Sequence, residues 1–129
     1  MKEFDVRSSL RGQTPRVPYE RIADAILGNS YSLSLLICGD ALARRINTES
    51  RKKMYAPNVL SFPLSKSEGE IVLNVNKAER EARALHTTKN ARIAYLFIHG
   101  CLHLIGHDHS NSMDRAEDTY MKKFGYPAL

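Results

Sequence analysis

The stretch HGCLHLIGHDH, residues 99–109, holds four of the chain's five histidines. His99 and His103 stand four apart, so a helix would place both imidazoles on one face, one turn from each other, where they can converge on a single ion. Gly106 then lets the backbone leave the helix, because glycine alone takes positive φ cheaply. The returning chain can present His109 as a third nitrogen. Three protein ligands and one open position are the arrangement of a catalytic zinc, whereas a structural zinc takes four ligands, usually with cysteines. An isolated histidine is ordinarily a core or surface residue. This clustering and spacing instead predict one Zn2+ per chain, held by His99, His103 and His109. His107 follows His103 by four only if the helix runs past Gly106. It is therefore read as a proton shuttle or a solvated residue ahead of a fourth ligand. Asp108, beside the third ligand, is placed to orient an imidazole from behind or to cap the next helix. Cys101 lies two residues from both helical histidines and points away from their shared face.

The spacing H-x3-H-x5-H, with glycine eighth, is that of the metzincin peptidases, H-E-x-x-H-x-x-G-x-x-H. Those enzymes carry a glutamate after the first histidine, and this chain has Gly100. Zinc alone still brings the pKa of its water to about 7. Peptide cleavage also needs a group that carries protons to the leaving amine. The ligand frame supports hydrolysis in general and argues against a peptidase.

Elements that would position these residues can be read along the chain. A weak strand signal covers 3–8. PYERIADAILGN (18–29) reads as a helix, with Pro18 early, Ile22, Ala23 and Ile26 on one face, and Gly28 stopping it. In 31–40, Leu33, Leu35 and Ile37 alternate with Ser32, Ser34 and Leu36, the pattern of a strand. Asp40 is expected to cap a short helix, 41–47. The polar, basic segment 48–59, broken by Pro57, reads as a loop. Strands follow at 59–63 and 69–75, joined by the turn 64–69. Asn76 is the expected cap of a helix over 77–86, and Thr87 or Thr88 of a helix running to about Leu104. Ser110 or Ser112 would cap a last helix that stops at Gly125. The expectation is one α+β domain spanning 1–129, with a small mixed sheet of about four strands and helices packed mainly on one face.

Composition narrows the classes. The chain has 129 residues, 43% of them hydrophobic and 26% charged, as in an ordinary globular domain. Its longest apolar run, 31–38, is far short of the roughly 18 residues that span a bilayer. The first residues carry scattered charges and no apolar core of a secretory signal, so the expected location is the cytoplasm. Cys38 and Cys101 make no disulfide framework and read as small buried hydrophobes. A net charge of +5 suits a polyanionic partner.

HGCLHLIGHDH resembles the HGxLHLxGYDH signature of the YbeY family of bacterial metal-dependent endoribonucleases that mature ribosomal RNA. INTESRKKMYAPNVLSFP (46–63) is similar to that family's LNxxYRxxDxPTNVLSFP, and GEIVLNV (69–75) to its GDIVI strand. Together the similarity covers roughly residues 31–125. It implies a metzincin-like metal helix, zinc on His99, His103 and His109, and a functional role for Arg51, whose guanidinium could clamp a phosphodiester. Ser61, within the VLSFP strand, is a candidate for the cleft lining. The implied activity is single-strand endoribonuclease cleavage in small-subunit ribosomal RNA 3′-end maturation and ribosome quality control, with the small ribosomal subunit as partner and no membrane. His107 stands for the family's tyrosine, Ser50 for the tyrosine before the arginine, and Glu70 for its aspartate. Two other readings are weighed against it: a zinc hydrolase of peptide or amide bonds, and a non-catalytic ribosome assembly factor with structural zinc.

Overall fold

The alternation read at 31–40 becomes strand β2 (Ser32–Cys38), with Leu33, Leu35 and Ile37 all buried. Its neighbours are β1 (Glu3–Ser8) and β4 (Glu68–Asn74), both parallel to it, and β3 (Val59–Ser65) pairs antiparallel with β4. The sheet order is β1-β2-β4-β3, so β1 and β3 form the edges. The computed structural model describes residues 1–108 and 111–127.

The helices are α1 (Tyr19–Leu27), α2 (Asp40–Arg51), α3 (Val75–Ala84), α4 (Lys89–Leu104) and α5 (Asn111–Lys123). Side chains alternate across a sheet, so odd and even positions build two cores. Leu33, Leu35, Ile37, Ile71 and Leu73 face the large core with Ile22, Ile93, Phe97, Leu102 and Met121 of the helices. On the other face, Leu36, Cys38, Leu60, Phe62 and Val72 meet α2 through Leu42, Ala43 and Ile46. This is the expected mixed α+β architecture, with helices mainly on one side. The central element is α4, which packs against α1, α3, α5, β3 and β4. Among the described residues no helix is long and apolar enough to cross a membrane.

Several boundaries differ from the sequence reading. Helix α2 runs to Arg51 rather than ending at 47, and it begins with Gly39 at its N-cap position. Asp40 does not cap it. The Asp40 backbone N–H donates to Asn76 Oδ1 at 3.2 Å, and the Asp40 carboxylate receives Arg80 at 2.8 and 2.9 Å. Asn76 thus caps a helix distant in sequence, while α3 is capped by Asn74, whose Oδ1 accepts from Lys77 N at 3.2 Å. Local sequence could not separate these two asparagines, because the choice depends on which helix end lies beside which. The hairpin turn is also shorter than 64–69, since β3 extends to Ser65 and β4 starts at Glu68. Thr88 caps α4 as expected, accepting from Ala91 N at 3.1 Å. Ser112 lies inside α5, and Ser110 is outside the described residues.

Candidate metal centre

From Ala91 to Leu104 every residue of α4 is buried except Arg92, Tyr95, His99 and His103. They recur at steps of three or four, so they form one stripe along the helix. His99 and His103 lie at its C-terminal end, with their Nε2 atoms 3.0 Å apart and their rings nearly perpendicular at 80°. A tetrahedral ion bound at about 2.0–2.1 Å spaces two ligand nitrogens by roughly 3.3 Å. The pair therefore fits two corners of such a site with little adjustment.

The other side of His99 is held. Its Nδ1–H donates to Glu117 Oε2 at 2.6 Å, and Glu117, from α5, is only 3% exposed. A carboxylate on Nδ1 selects the tautomer that turns the Nε2 lone pair towards the cleft. Tyr95 donates its hydroxyl to the second oxygen, Glu117 Oε1, at 3.2 Å. Burial, and then the Glu117 charge, push the Tyr95 phenol up to about 12, so it remains a donor at neutral pH.

The histidines form one wall of a cleft of about 400 Å³, and β3 and Arg51 form the other. Asn74 N donates to Asn58 O at 2.9 Å, so the backbone of even-numbered positions in this strand faces β4, while that of Val59, Ser61 and Pro63 faces outward. Pro63 sits where a missing N–H costs no ladder bond. Arg51 Nη2 donates to the outward Ser61 carbonyl at 3.1 Å, and its guanidinium lies 5.5 Å from the centre of the Phe62 ring. The site for Arg51 is built by the segment behind it. Lys52 ends α2 in the left-handed region at φ 60. Arg44 Nε then donates to Met54 O at 2.8 Å, Asn47 Nδ2 to Tyr55 O at 3.0 Å, and Asn74 Nδ2 to Pro57 O at 3.1 Å. The expected loop is thus tied back to α2 and β4, and Arg51, in the last turn of α2, is set at the β3 edge of the cleft.

Gly100 has a structural reason. A Cβ there would meet Ser61 Oγ at 3.1 Å and Ile71 Cδ1 and Val59 Cγ2 at 3.3 Å. Ser61 Oγ also donates to Gly100 O at 2.9 Å. Position 100 is where α4 rests on the sheet, and a glutamate has no room there.

The family model described as Endoribonuclease YbeY matches residues 11–125. The chain belongs to this family. Its relatives include Endoribonuclease YbeY of Solibacter usitatus, 41% identical over 71% of this chain and 65% of the relative. Those of Chromobacterium violaceum and Helicobacter pylori strain Shi470 are each 34% identical, over 96% and 98% of this chain and 83% and 94% of theirs. In fold it is similar to the solution structure of TM1509 from Thermotoga maritima, with a TM-score of 0.68 at 22% identity, covering 92% of this chain and 88% of that one.

In this YbeY-family chain the structure brings together His99, His103, Arg51 and Ser61. His109 lies outside the described residues, and among those described no group of three or more His, Cys, Asp or Glu could hold a metal. Helix α4 ends at the expected break. Gly106 takes φ +94, its N–H bonds to His103 O at 3.0 Å, and His107 N bonds to Leu102 O at 3.1 Å. This pair of bonds is a Schellman ending. His107 emerges half-buried and Asp108 exposed. The carboxylate behind His99 is Glu117, which the sequence reading missed. A signal for it existed: Met113, Glu117 and Met121 are spaced by four, and all three are buried. A glutamate flanked by methionines one turn away on each side sits on the inward stripe of its helix.

Proposed function

We propose that this chain is a zinc-dependent endoribonuclease that cleaves single-stranded RNA in ribosomal RNA maturation, at the small-subunit 3′ end and in ribosome quality control. It acts as one domain over 1–129, in the cytoplasm, on the small ribosomal subunit and its precursor RNA. One Zn2+ is held by His99, His103 and His109. The carrying observation is the histidine pair facing Arg51 across one cleft.

Bound there, zinc supplies Lewis acidity and a nucleophile active at neutral pH. The protein's residues do the rest. Glu117 keeps His99 in the ligating tautomer. Arg51 offers planar N–H donors to the non-bridging oxygens of a phosphodiester, where charge grows as phosphorus is attacked. Ser61 orients the cleft wall through its bond to Gly100 O. His107 and Asp108, at the helix exit, are the candidates for carrying protons.

The β3 edge argues against the peptide or amide reading. An extended peptide would add to that edge through main-chain bonds. Arg51 already occupies the Ser61 carbonyl, and Pro63 offers no N–H. The test is side-by-side. Wild type and Arg51→Ala receive a small-subunit RNA precursor with and without chelator, after metal content is measured by mass spectrometry. Expected are one zinc in each protein and chelator-sensitive cleavage by wild type alone. A wild type that holds no zinc, or that cleaves casein and not RNA, overturns the reading. A 2′-deoxy residue at the cleaved bond tells an attacking water from an attacking 2′-hydroxyl.

A further inference from the structure

The open stripe of α4 does not stop at the histidines. It continues by one and two turns to Tyr95 and Arg92, beside residues that Arg51 does not join. Beside these residues lies a second groove, of about 280 Å³, lined by Asn58, Arg92, Tyr95, Leu96 and His99. Asn58 and His99 line both grooves, so the two are continuous past the metal centre.

This groove has the make-up of a stacking site. Leu96 is 2% exposed and forms an apolar floor. The Arg92 guanidinium lies 4.8 Å from the centre of the Tyr95 ring, and Tyr95 is stacked beside His99 at 6.2 Å and 29°. Arg92 is also anchored: its Nε donates to Glu81 Oε1 at 2.9 Å, and Asn58 Nδ2 donates to Glu81 Oε2 at 3.1 Å. Glu81 neutralises the arginine and fixes its plane. A free lysine or arginine in solvent attracts phosphate, whereas a paired, planar guanidinium against an aromatic ring suits the flat face of a base. A polynucleotide cut at the metal centre must also leave the cleft on both sides of its cleaved phosphate, and this groove is a continuation that Arg51 does not line.

We infer that the Asn58–Arg92–Tyr95 groove binds one unpaired nucleobase adjacent to the cleaved phosphate, stacked on the Arg92 guanidinium that Tyr95 backs. This rests on the proposed RNA substrate. It assigns Arg92 to substrate binding and not to metal binding or chemistry.

The probe is a short 2′-O-methyl single-stranded RNA, which resists attack by its own hydroxyls, compared with an abasic strand of equal length. Binding by fluorescence anisotropy is measured on the zinc-loaded wild type, Arg92→Ala and Arg92→Lys. Wild type should prefer the base-bearing strand by about 5- to 100-fold. Both variants should lose most of that preference while keeping their zinc and their affinity for the abasic strand. The lysine retains the charge opposite Glu81 but not the planar group, and retained zinc with unchanged affinity for the abasic strand excludes misfolding as the cause. An Arg92→Ala protein that discriminates as well as wild type overturns the inference, as does a wild type that binds both strands equally. If wild type binds neither strand, the RNA reading itself falls, and that result is distinct from the other two.

Discussion

His99 and Glu117 are joined at 2.6 Å between Nδ1 and Oε2, across the interface of α4 and α5. This contact makes the last helix part of the candidate metal centre, although it contributes no expected ligand. Carboxylates behind metal-bound histidines typically change affinity by about 10- to 100-fold when removed. Glu117→Gln should weaken zinc binding by that factor in a chelator competition, with the fold retained because glutamine keeps an acceptor for Tyr95. Unchanged zinc affinity would show that the carboxylate serves packing alone.

Arg51 is exposed and, among the described residues, bonds to the edge of β3. Arg51→Ala should therefore leave stability within about 0.5 kcal/mol of wild type. Turnover of RNA should fall by roughly 10²- to 10³-fold, the usual loss for one donor to developing charge. Zinc content should not change. A variant that still matures ribosomal RNA at the wild-type rate would instead support an assembly role with a structural metal.

Gly100 lies where α4 touches β3 and β4. Restoring the metzincin residue with Gly100→Glu should not create a peptidase. It should unfold the chain or lower its stability by more than about 3 kcal/mol, because a carboxylate would be forced into a packed, buried position. Thermal melting and casein digestion together check this. A stable, chelator-sensitive peptidase would refute the packing argument.

Asp40 gives a pH test. The Arg80 guanidinium, and next the Asn74 amide, hold its carboxyl at about 2, below the ordinary aspartate value. A lowered folded-state pKa contributes stability above the unfolded pKa, about 3.9, and that contribution is lost as pH falls towards 2. The Asp40 side chain is 42% exposed, so screening keeps the contribution below about 1 kcal/mol. The melting temperatures of wild type and Asp40→Asn should differ slightly at neutral pH and converge between about pH 4 and 2. A gap that persists at pH 2 would assign it to lost packing.

Much of this protein was written in short-range pattern. The period-two alternation of Leu33, Leu35 and Ile37 specified a strand, and the i, i+4 histidines with Gly106 specified a helical pair and its exit, because those periods are properties of the backbone itself. The identities of His99, His103 and Arg51 as candidates were likewise legible from residue type, spacing and family resemblance. What sequence could not decide were the pairings between distant segments. Asn76 caps α2 from 36 residues away, Glu117 reaches His99 from another helix, and Arg51 finds its place because the segment after it is tied to α2 and β4. Gly100 read as a missing catalytic group and proved to be a point of close approach. Each of these depends on which surfaces meet once the core has formed, and hydrogen-bond partners brought together by packing leave no periodic trace along the chain.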